Sequence, residues 1–410
     1  MAFSFFSKKQ KQHEQQLYLS LDIGTEFIKA VVFSTENDTI AVHGVGKVRQ
    51  LVSNPKNGQI ANIKSLVETT KSAIEKAMDG IDSFQPTEVI MGIAGELVKG
   101  ISVIANYNRE QPESKITMDE VMKIFDKIKN PSMEEAKNIF IEYSGNTKPQ
   151  IRSINASIIE AFIDGVRVEN VLDATGKNIK LTIYSTYAAI SHVGSLDQLA
   201  KQLKLKPLLI AAEPFAVARS IVGARDEGFD AIVIDIGGGT SDITIIKKGV
   251  VVDTHMIAFG ARVFTKRIAQ EMHVDFEKAE KLKQEYVAGA LDEITKKTVQ
   301  AAIEKDKTSW LEGIVLTLKE FETVKVFPSS ILLCGGGALL PETKISIINY
   351  DWTHVLPFNR VPKVTFILPQ NIDKLEDPKK LADSIDMVTS LALARLTLDV
   401  KHNLELVKGG

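Results

Sequence analysis

A single cysteine, Cys334, stands in the 410 residues, which excludes an internal disulfide and a metal centre built from several thiolates. That scarcity fits a reducing compartment such as the cytoplasm. Cys334 closes the apolar run Ile331-Leu332-Leu333, so it reads as a small buried residue rather than a nucleophile. An excess of one charge is missing too. The 50 Lys and Arg residues face 52 Asp and Glu, a net charge of −2, which offers nucleic acid no general attraction. A polyphosphate ligand has to be held by local geometry and a metal. No apolar run approaches the roughly 20 residues of a membrane span, and no signal-peptide pattern is present. What remains, 44% hydrophobic and 25% charged residues, is globular protein long enough for two domains or more.

The most informative stretch runs from Ala231 to Ile246. Four apolar residues lead into Asp235, Gly237, Gly238 and Gly239 reverse the chain, and Ile243 to Ile246 carry it back. The pattern predicts a hairpin inside a sheet covered on both faces. Without Cβ atoms, the three glycines let their amides approach a polyphosphate, and Asp235 and Asp242 stand where carboxylates can hold a hydrated Mg²⁺. An ordinary glycine-rich turn satisfies the same letters. A second copy, Leu17 to Leu21 followed by Asp22-Ile23-Gly24-Thr25 and Ile28 to Phe33, shifts the balance. Two such hairpins predict two similar halves facing one cleft, the default place for a ligand. Lys29, on the outgoing strand, either reaches a phosphate or is a solvated strand residue.

Elsewhere, residues 1–16 combine Phe3, Phe5 and Phe6 with Lys8, Lys9 and Lys11: a frayed tail, or a modest anchor for an anionic membrane surface. Ile63 to Met78 has helical spacing and Val89 to Ala94 reads as a buried strand. Residues 96 to about 178 carry strands at Val98–Tyr107 and Asn155–Ile163 and a helix from Met118 to Lys129, with no phosphate turn and no metal spacing. Glu213-Pro214 opens a helix, where the carboxylate either orients a water or caps the helix. Phe276 to Val287 are helical, with Ala279, Glu280 and Lys283 on neighbouring turns. Gly335, Gly336 and Gly337 follow a buried strand and offer bare backbone to a base or ribose. Val355 to Val364 read as a strand and turn, and Asp383 to Asp399 as a buried helix.

Asp22-Ile23-Gly24-Thr25, Asp235 to Thr240, Gly335-Gly336-Gly337 and Glu213-Pro214 stand in the order of the phosphate-1, phosphate-2, adenosine and connecting motifs that the chain thereby resembles, those of the actin-like ATPase superfamily. Within it the chain is similar to the family of the bacterial cell-division protein FtsA, in Ile163-Asp164-Gly165-Val166-Arg167-Val168-Glu169-Asn170, Thr175-Gly176-Lys177 and Gly336-Gly337-Ala338-Leu339-Leu340-Pro341. The resemblance implies an α/β, actin-like fold of duplicated ribonuclease-H-like domains with an inserted SHS2-type α+β subdomain. Its expected boundaries are a tail at 1–16, a first half at 17–95 and 179–226, the insertion at 96–178, a second half at 227–260 and 326–400, a helical nucleotide-capping subdomain at 261–325 and a tail at 401–410.

The resemblance also implies ATP and Mg²⁺ as cofactors and slow hydrolysis at most. Gly24, Thr25 and Lys29 would face the β- and γ-phosphates from one side, and Gly237, Gly238, Gly239 and Thr240 from the other. Asp22 and Asp235 would hold Mg²⁺ through water, Glu280 and Lys283 would meet ribose and base, Gly335 to Gly337 would lie beneath the adenosine, and Glu213 would be the catalytic residue. Implied partners are the tubulin-like division protein FtsZ, further copies of the chain in a protofilament and other division membrane proteins through the insertion, at the inner face of the cell membrane. Family members usually end in a basic amphipathic helix, whereas this sequence stops at Gly410 after Leu404-Glu405-Leu406-Val407-Lys408, so the expected membrane contact is weak or indirect. Glu213-Pro214-Phe215-Ala216 and the Phe-Phe-Ser-Lys-Lys start resemble the related pilus-assembly ATPase PilM, the alternative within the fold. A sugar-kinase-type phosphotransferase is the remaining alternative, for which the insertion supplies no sugar-binding cluster.

Overall fold

In the computed structural model, the strand Leu17–Ile23 shows how the sequence positions the cleft. Leu19 and Leu21 point to one face, into a core with Leu66, Ala73 and Ile74 of the helix Ile63–Ala77 and Val193, Leu196 and Leu199 of the helix Ile190–Gln202. Burial of each leucine contributes about 1.5–3 kcal/mol. The alternate residues face the helix Val388–Lys401: Tyr18 packs with Ala394 and Leu398, and the Ser20 hydroxyl donates to the Ser390 carbonyl at 2.8 Å. The period of two therefore delivers Asp22, last of that series, to the N-terminal end of this helix. The structure describes residues 16–402 except 51–54, 57–58, 61–62, 84, 96–97, 169, 223–228 and 323, together with 405–407. Apart from Gln16, the expected N-terminal tail lies outside the described residues.

Two sheets share one topology. In the first, Leu17–Ile23, Phe27–Glu36 and Thr39–Arg49 form an antiparallel meander, and Glu88–Ile93 and then Lys206–Ala212 add parallel beyond its first strand. In the second, Ala231–Ile236, Ser241–Lys247 and Val250–Ile257 form the meander, and Ser330–Cys334 and then Lys363–Phe366 add in the same way. The registers match: Asp22 pairs with Lys29 in one hairpin and Asp235 with Asp242 in the other. The duplicated halves expected from the two motifs are present as duplicated sheets.

Between Glu88–Ile93 and Lys206–Ala212 the chain builds an α+β subdomain. The strand Asn178–Ala189 lies between Val98–Asn108 and Ile151–Ile163, antiparallel to both, and the helix Met118–Ser144 covers one face. The sheet thus extends through residue 189, past the expected boundary at 178. The helix also continues beyond the expected Lys129, through Pro131. Its second part buries Ala136 and Phe140 against Ile101, Ile151 and Tyr187, and Tyr187 donates its phenol to Ser132 at 2.7 Å. Packing there outweighs the helix hydrogen bond that proline forfeits.

Three helices, Arg262–Met272, Phe276–Val287 and Glu293–Lys319, form the helical region after the second meander. Asp275 and Asp292 cap the second and third by accepting from backbone amides of their first turns. The expected strand at Val355 to Val364 is instead the short helix Trp352–Val355 followed by the strand Lys363–Phe366. Trp352 is buried and donates its indole N–H to the Ile347 carbonyl at 2.7 Å, which anchors that turn. The last segment crosses back to the first half: Leu375–Glu376 pairs with Ile40 and Ala41, and Leu391 packs on Val31 and Val42. Residues 375–401 therefore lie against the first sheet as well as the second, rather than with the second half alone.

Candidate nucleotide cleft

Both hairpins, the glycine turn after Ser330–Cys334 and the starts of the helices Glu213–Val222 and Val388–Lys401 border one cavity of about 450 Å³, within the range of small-molecule sites. Asp22, Gly24, Thr25, Lys29, Glu213, Asp235, Gly237, Gly238, Thr240, Glu280, Lys283, Gly335, Gly336 and Gly337 all line it. Of the residues singled out from sequence, Gly239 alone does not; a Cβ there would lie 2.9 Å from the Thr25 Oγ1, so it serves the approach of the two hairpins. The Gly237 N–H is already donated to the Thr240 carbonyl at 2.9 Å across the turn. No backbone carbonyl among the described residues takes the N–H of Gly238, which leaves that cavity-lining amide for an anion.

Charge in the cavity is arranged unevenly. Lys29 Nζ lies 3.0 Å from Asp22, which also accepts from the Ser390 hydroxyl at 3.1 Å. Burial opposes the charge on Lys29, but Asp22, Asp386 and Asp235 together hold its pKa above the ordinary lysine value. Asp235 accepts from Thr389 Oγ1 at 2.7 Å and from the Cys334 thiol. Burial and the nearby Asp22 nevertheless raise its pKa, and burial with Asp235 alongside pushes Asp242 up to about 7. Glu213 stands well above the usual carboxylate range, through burial first and then Asp22, Asp242 and Asp235. Asp22, Asp235, Asp386 and Glu213 thus share Lys29, while Asp242 has Lys99, and the raised carboxyls mark a shortage of positive charge that a divalent cation would relieve. The described residues contain no group of three or more His, Cys, Asp or Glu placed to ligate a metal directly. The donor set fits Mg²⁺ held through water, since that ion keeps several waters and takes few carboxylates.

At the other end of the cavity Gly335 has φ +83°, and a Cβ on it would lie 2.1 Å from Asp235 Oδ1; only glycine fits this close approach. Beside it, a side chain on Gly336 would meet nothing nearer than Asp386 Cβ at 3.8 Å, so that position faces open space. Glu280 and Lys283 form a buried pair at 2.8 Å, and both engage Thr265 Oγ1, which donates to Glu280 at 2.6 Å and accepts from Lys283 at 2.7 Å. Cys334 is buried, with its thiol pKa pushed up by burial and by Asp235.

The structure adds residues that the motifs do not contain. Lys47, cross-strand neighbour of Lys29, lines the cavity and pairs with Asp386 at 2.6 Å; the lysines and Ser384 outweigh burial and keep the Asp386 pKa low. Thr389 and Ser390 supply hydroxyls to Asp235 and Asp22 from a helix that reads simply as apolar. Asp242, singled out in the sequence with Asp235, holds the register position in its hairpin that Lys29 holds in the first. Arg262 and Glu26 bridge the hairpins at 2.8 Å, a pair too distant in sequence for any spacing to reveal.

With this geometry in hand, comparison with known proteins is specific. A profile of the family "Cell division protein FtsA" matches residues 232–361, the second half with its helices. The cell division protein FtsA of Bacillus subtilis is 23% identical over 354 residues, 80% of this chain and 75% of its own length. That of Neisseria meningitidis serogroup B is 25% identical over 283 residues, 68% of this chain and 64% of its own. Among solved structures, the PilM-PilN type IV pilus biogenesis complex aligns with a TM-score of 0.61 and 16% identity over 92% of this chain and 97% of that one. The chain thus has the actin-like ATPase fold, and in sequence it is similar to the family of the cell division protein FtsA.

Proposed function

We propose that this chain is an ATP-binding actin-like protein of bacterial cell division that polymerises and links the tubulin-like division protein FtsZ to the membrane at the division site. The observation that carries the reading is the convergence of two matched Asp-Ile-Gly hairpins and a glycine turn on one cavity. In this reading Gly24, Thr25 and Lys29 hold the β- and γ-phosphates from the first half, and Gly238 and Thr240 from the second. Asp22 and Asp235 hold Mg²⁺ through water; the ion supplies positive charge against the phosphates. Glu280, Lys283 and the turn at Gly335 to Gly337 surround ribose and base. Glu213, at the start of its helix and lining the cavity, orients water, and hydrolysis is slow at most.

Titration calorimetry with ATP and Mg²⁺ tests the cleft. Binding is expected for the wild type, nearly lost in Asp235→Ala and weakened in Gly336→Val, whose side chain would fill open space beside the turn. Unchanged affinity in both variants would refute the assignment. The family relatives favour the division role. The near-complete overlap with the PilM-PilN complex favours a second reading, a pilus-assembly adaptor that binds a short cytoplasmic peptide beside the insertion. Pull-down with FtsZ on one side and such a peptide on the other separates the two. No helix of the described residues is long and apolar enough to cross a membrane. Membrane contact in this reading is weak or runs through a partner, with Phe3, Phe5, Phe6 and the following lysines as the direct route. Sedimentation with anionic liposomes should then fall with salt and vanish when residues 1–12 are deleted.

A further inference from the structure

We infer that Arg262 and Glu26 form a latch across the mouth of the cleft, holding the two phosphate hairpins together and setting how fast a nucleotide leaves; the inference deepens the ATP reading and rests on it. Glu26 sits at the tip of the first hairpin, between the strands Leu17–Ile23 and Phe27–Glu36. Its carboxylate accepts from Arg262 Nε at 3.1 Å and Nη2 at 2.8 Å, and the same Nη2 donates to the Thr25 carbonyl at 2.6 Å. Arg262 itself is fixed to the second hairpin, for its N–H donates to the Gly238 carbonyl at 2.8 Å and that of Ala261 to Gly237 at 2.9 Å. One guanidinium therefore ties the backbone of one hairpin to the backbone of the other.

The glycine backbone of the second hairpin runs against side chains of the first where this happens. A Cβ on Gly238 would lie 2.8 Å from Glu26 Cβ, and one on Gly239 would lie 2.9 Å from Thr25 Oγ1. A second tie runs alongside, from Arg49, which donates to Glu26 at 2.9 Å, pairs with Glu277 and lies over the Phe276 ring at 5.8 Å. Side-chain exposure is 12% for Glu26 and 17% for Arg262, so water and salt screen the pair far less than a surface ion pair. Neither half needs this contact for its own fold, because each hairpin is already closed by its own strand ladder. What the contact does is join halves. Separation of the hairpins must break a charge-assisted, multiply donated contact, and removing one partner of such a shielded pair acts mainly on the dissociation rate.

The test is stopped-flow release of a fluorescent ATP analogue, with Mg²⁺, from the full chain. Arg262→Gln and Glu26→Ala are each expected to speed release by about tenfold or more, and the double variant to release faster than either by less than the product of the two effects, because they share the Arg262–Glu26 contact and each also loses one tie of its own. Arg262→Lys should fall between wild type and Arg262→Gln, since it keeps the charge and loses the fork. Melting temperatures recorded beside the rates identify any variant that fails to fold, and Arg262→Lys then carries the comparison. Release that does not quicken in the folded variants overturns the latch. If the wild type takes up no ATP, the nucleotide reading fails separately. Hydrogen exchange in residues 24–27 and 237–240 of the nucleotide-free protein then decides: faster exchange in Arg262→Gln supports the latch, and unchanged exchange overturns it.

Discussion

The two hairpins have one geometry and opposite electrostatics. Asp22 in the first and Asp235 in the second occupy matching register positions, each one residue before the strand end, and each takes a hydroxyl from the start of the helix Val388–Lys401. Across the ladder the first Asp meets Lys29 and the second meets Asp242. The first hairpin is neutralised from within, while the second keeps two carboxylates side by side with raised pKa values. Duplication has thus yielded two loops of one shape for two tasks. The first presents a lysine suited to phosphate, and the second presents a charge deficit suited to a hydrated cation.

The largest effect should come from cancelling the neutralisation in the first hairpin. Lys29→Ala leaves the Asp22 side chain, 4% exposed, without its ion-pair partner, a change that costs about 3–5 kcal/mol. Denaturant unfolding of nucleotide-free protein measures it. The double variant Lys29→Ala/Asp22→Asn should recover much of the loss, because the stranded charge is gone. If the single variant lost less than about 1 kcal/mol, the pair would be a solvated surface contact and the comparison of hairpins would fall.

A smaller effect, of opposite sign, is expected in the second hairpin. An aspartate in the unfolded chain releases its proton near pH 4, whereas folded Asp242 holds it to about 7. The folded state therefore binds more protons across that window, so this group's contribution makes stability fall as pH rises from about 4 to about 7 and stay flat above. Asp242→Asn removes the contribution. At pH 8, without nucleotide, it should raise the melting temperature, and at pH 4 it should change little. The same variant should weaken the gain in stability that Mg²⁺ with ATP confers on wild type. A destabilised variant at pH 8 would mean that Asp242 is a structural partner rather than an excess charge.

Much of this contrast was legible in the sequence, and the remainder shows where sequence runs out. Asp-Ile-Gly after an apolar run marks a hairpin because the side-chain period and the glycine turn are local properties, and Gly335 was identifiable because only a residue without a Cβ tolerates its position. The helix from Asp383 to Asp399 was expected, but not that Thr389 and Ser390 on it would serve the two aspartates, since a helix's apolar composition says nothing of what its polar minority meets. The latch joins residues 236 apart, Glu26 and Arg262, through a contact that only the folded cleft creates. The strand that follows the expected boundary at 178 meets a related limit. Asn178–Ala189 reads as a strand of either domain until its register with Val98–Asn108 and Ile151–Ile163 is known. Pro131 reads as a helix end, and only the burial of Ala136 and Phe140 beyond it shows otherwise.

The smallest expected change in binding, and the sharpest test of how the hairpins work together, lies between them at Glu213. Its carboxyl is held well above the usual range by burial and by Asp22, Asp242 and Asp235, which belong to both hairpins. A cation held by those aspartates would offset their repulsion and favour ionised Glu213, which would couple its capacity to accept a proton from water to occupancy of the second hairpin. Burial and those aspartates favour the protonated carboxyl, which is close to a neutral amide in charge and shape. Glu213→Gln should therefore leave the nucleotide-free melting temperature at neutral pH within about 1 °C of wild type or slightly above it. ATP affinity should stay within about twofold, and single-turnover hydrolysis should fall by about tenfold or more. A variant that hydrolyses at the wild-type rate would remove Glu213 from the chemistry. One that loses ATP binding as well would show that Glu213 helps to hold the site together, and the division of labour between the hairpins would then extend to a third carboxylate.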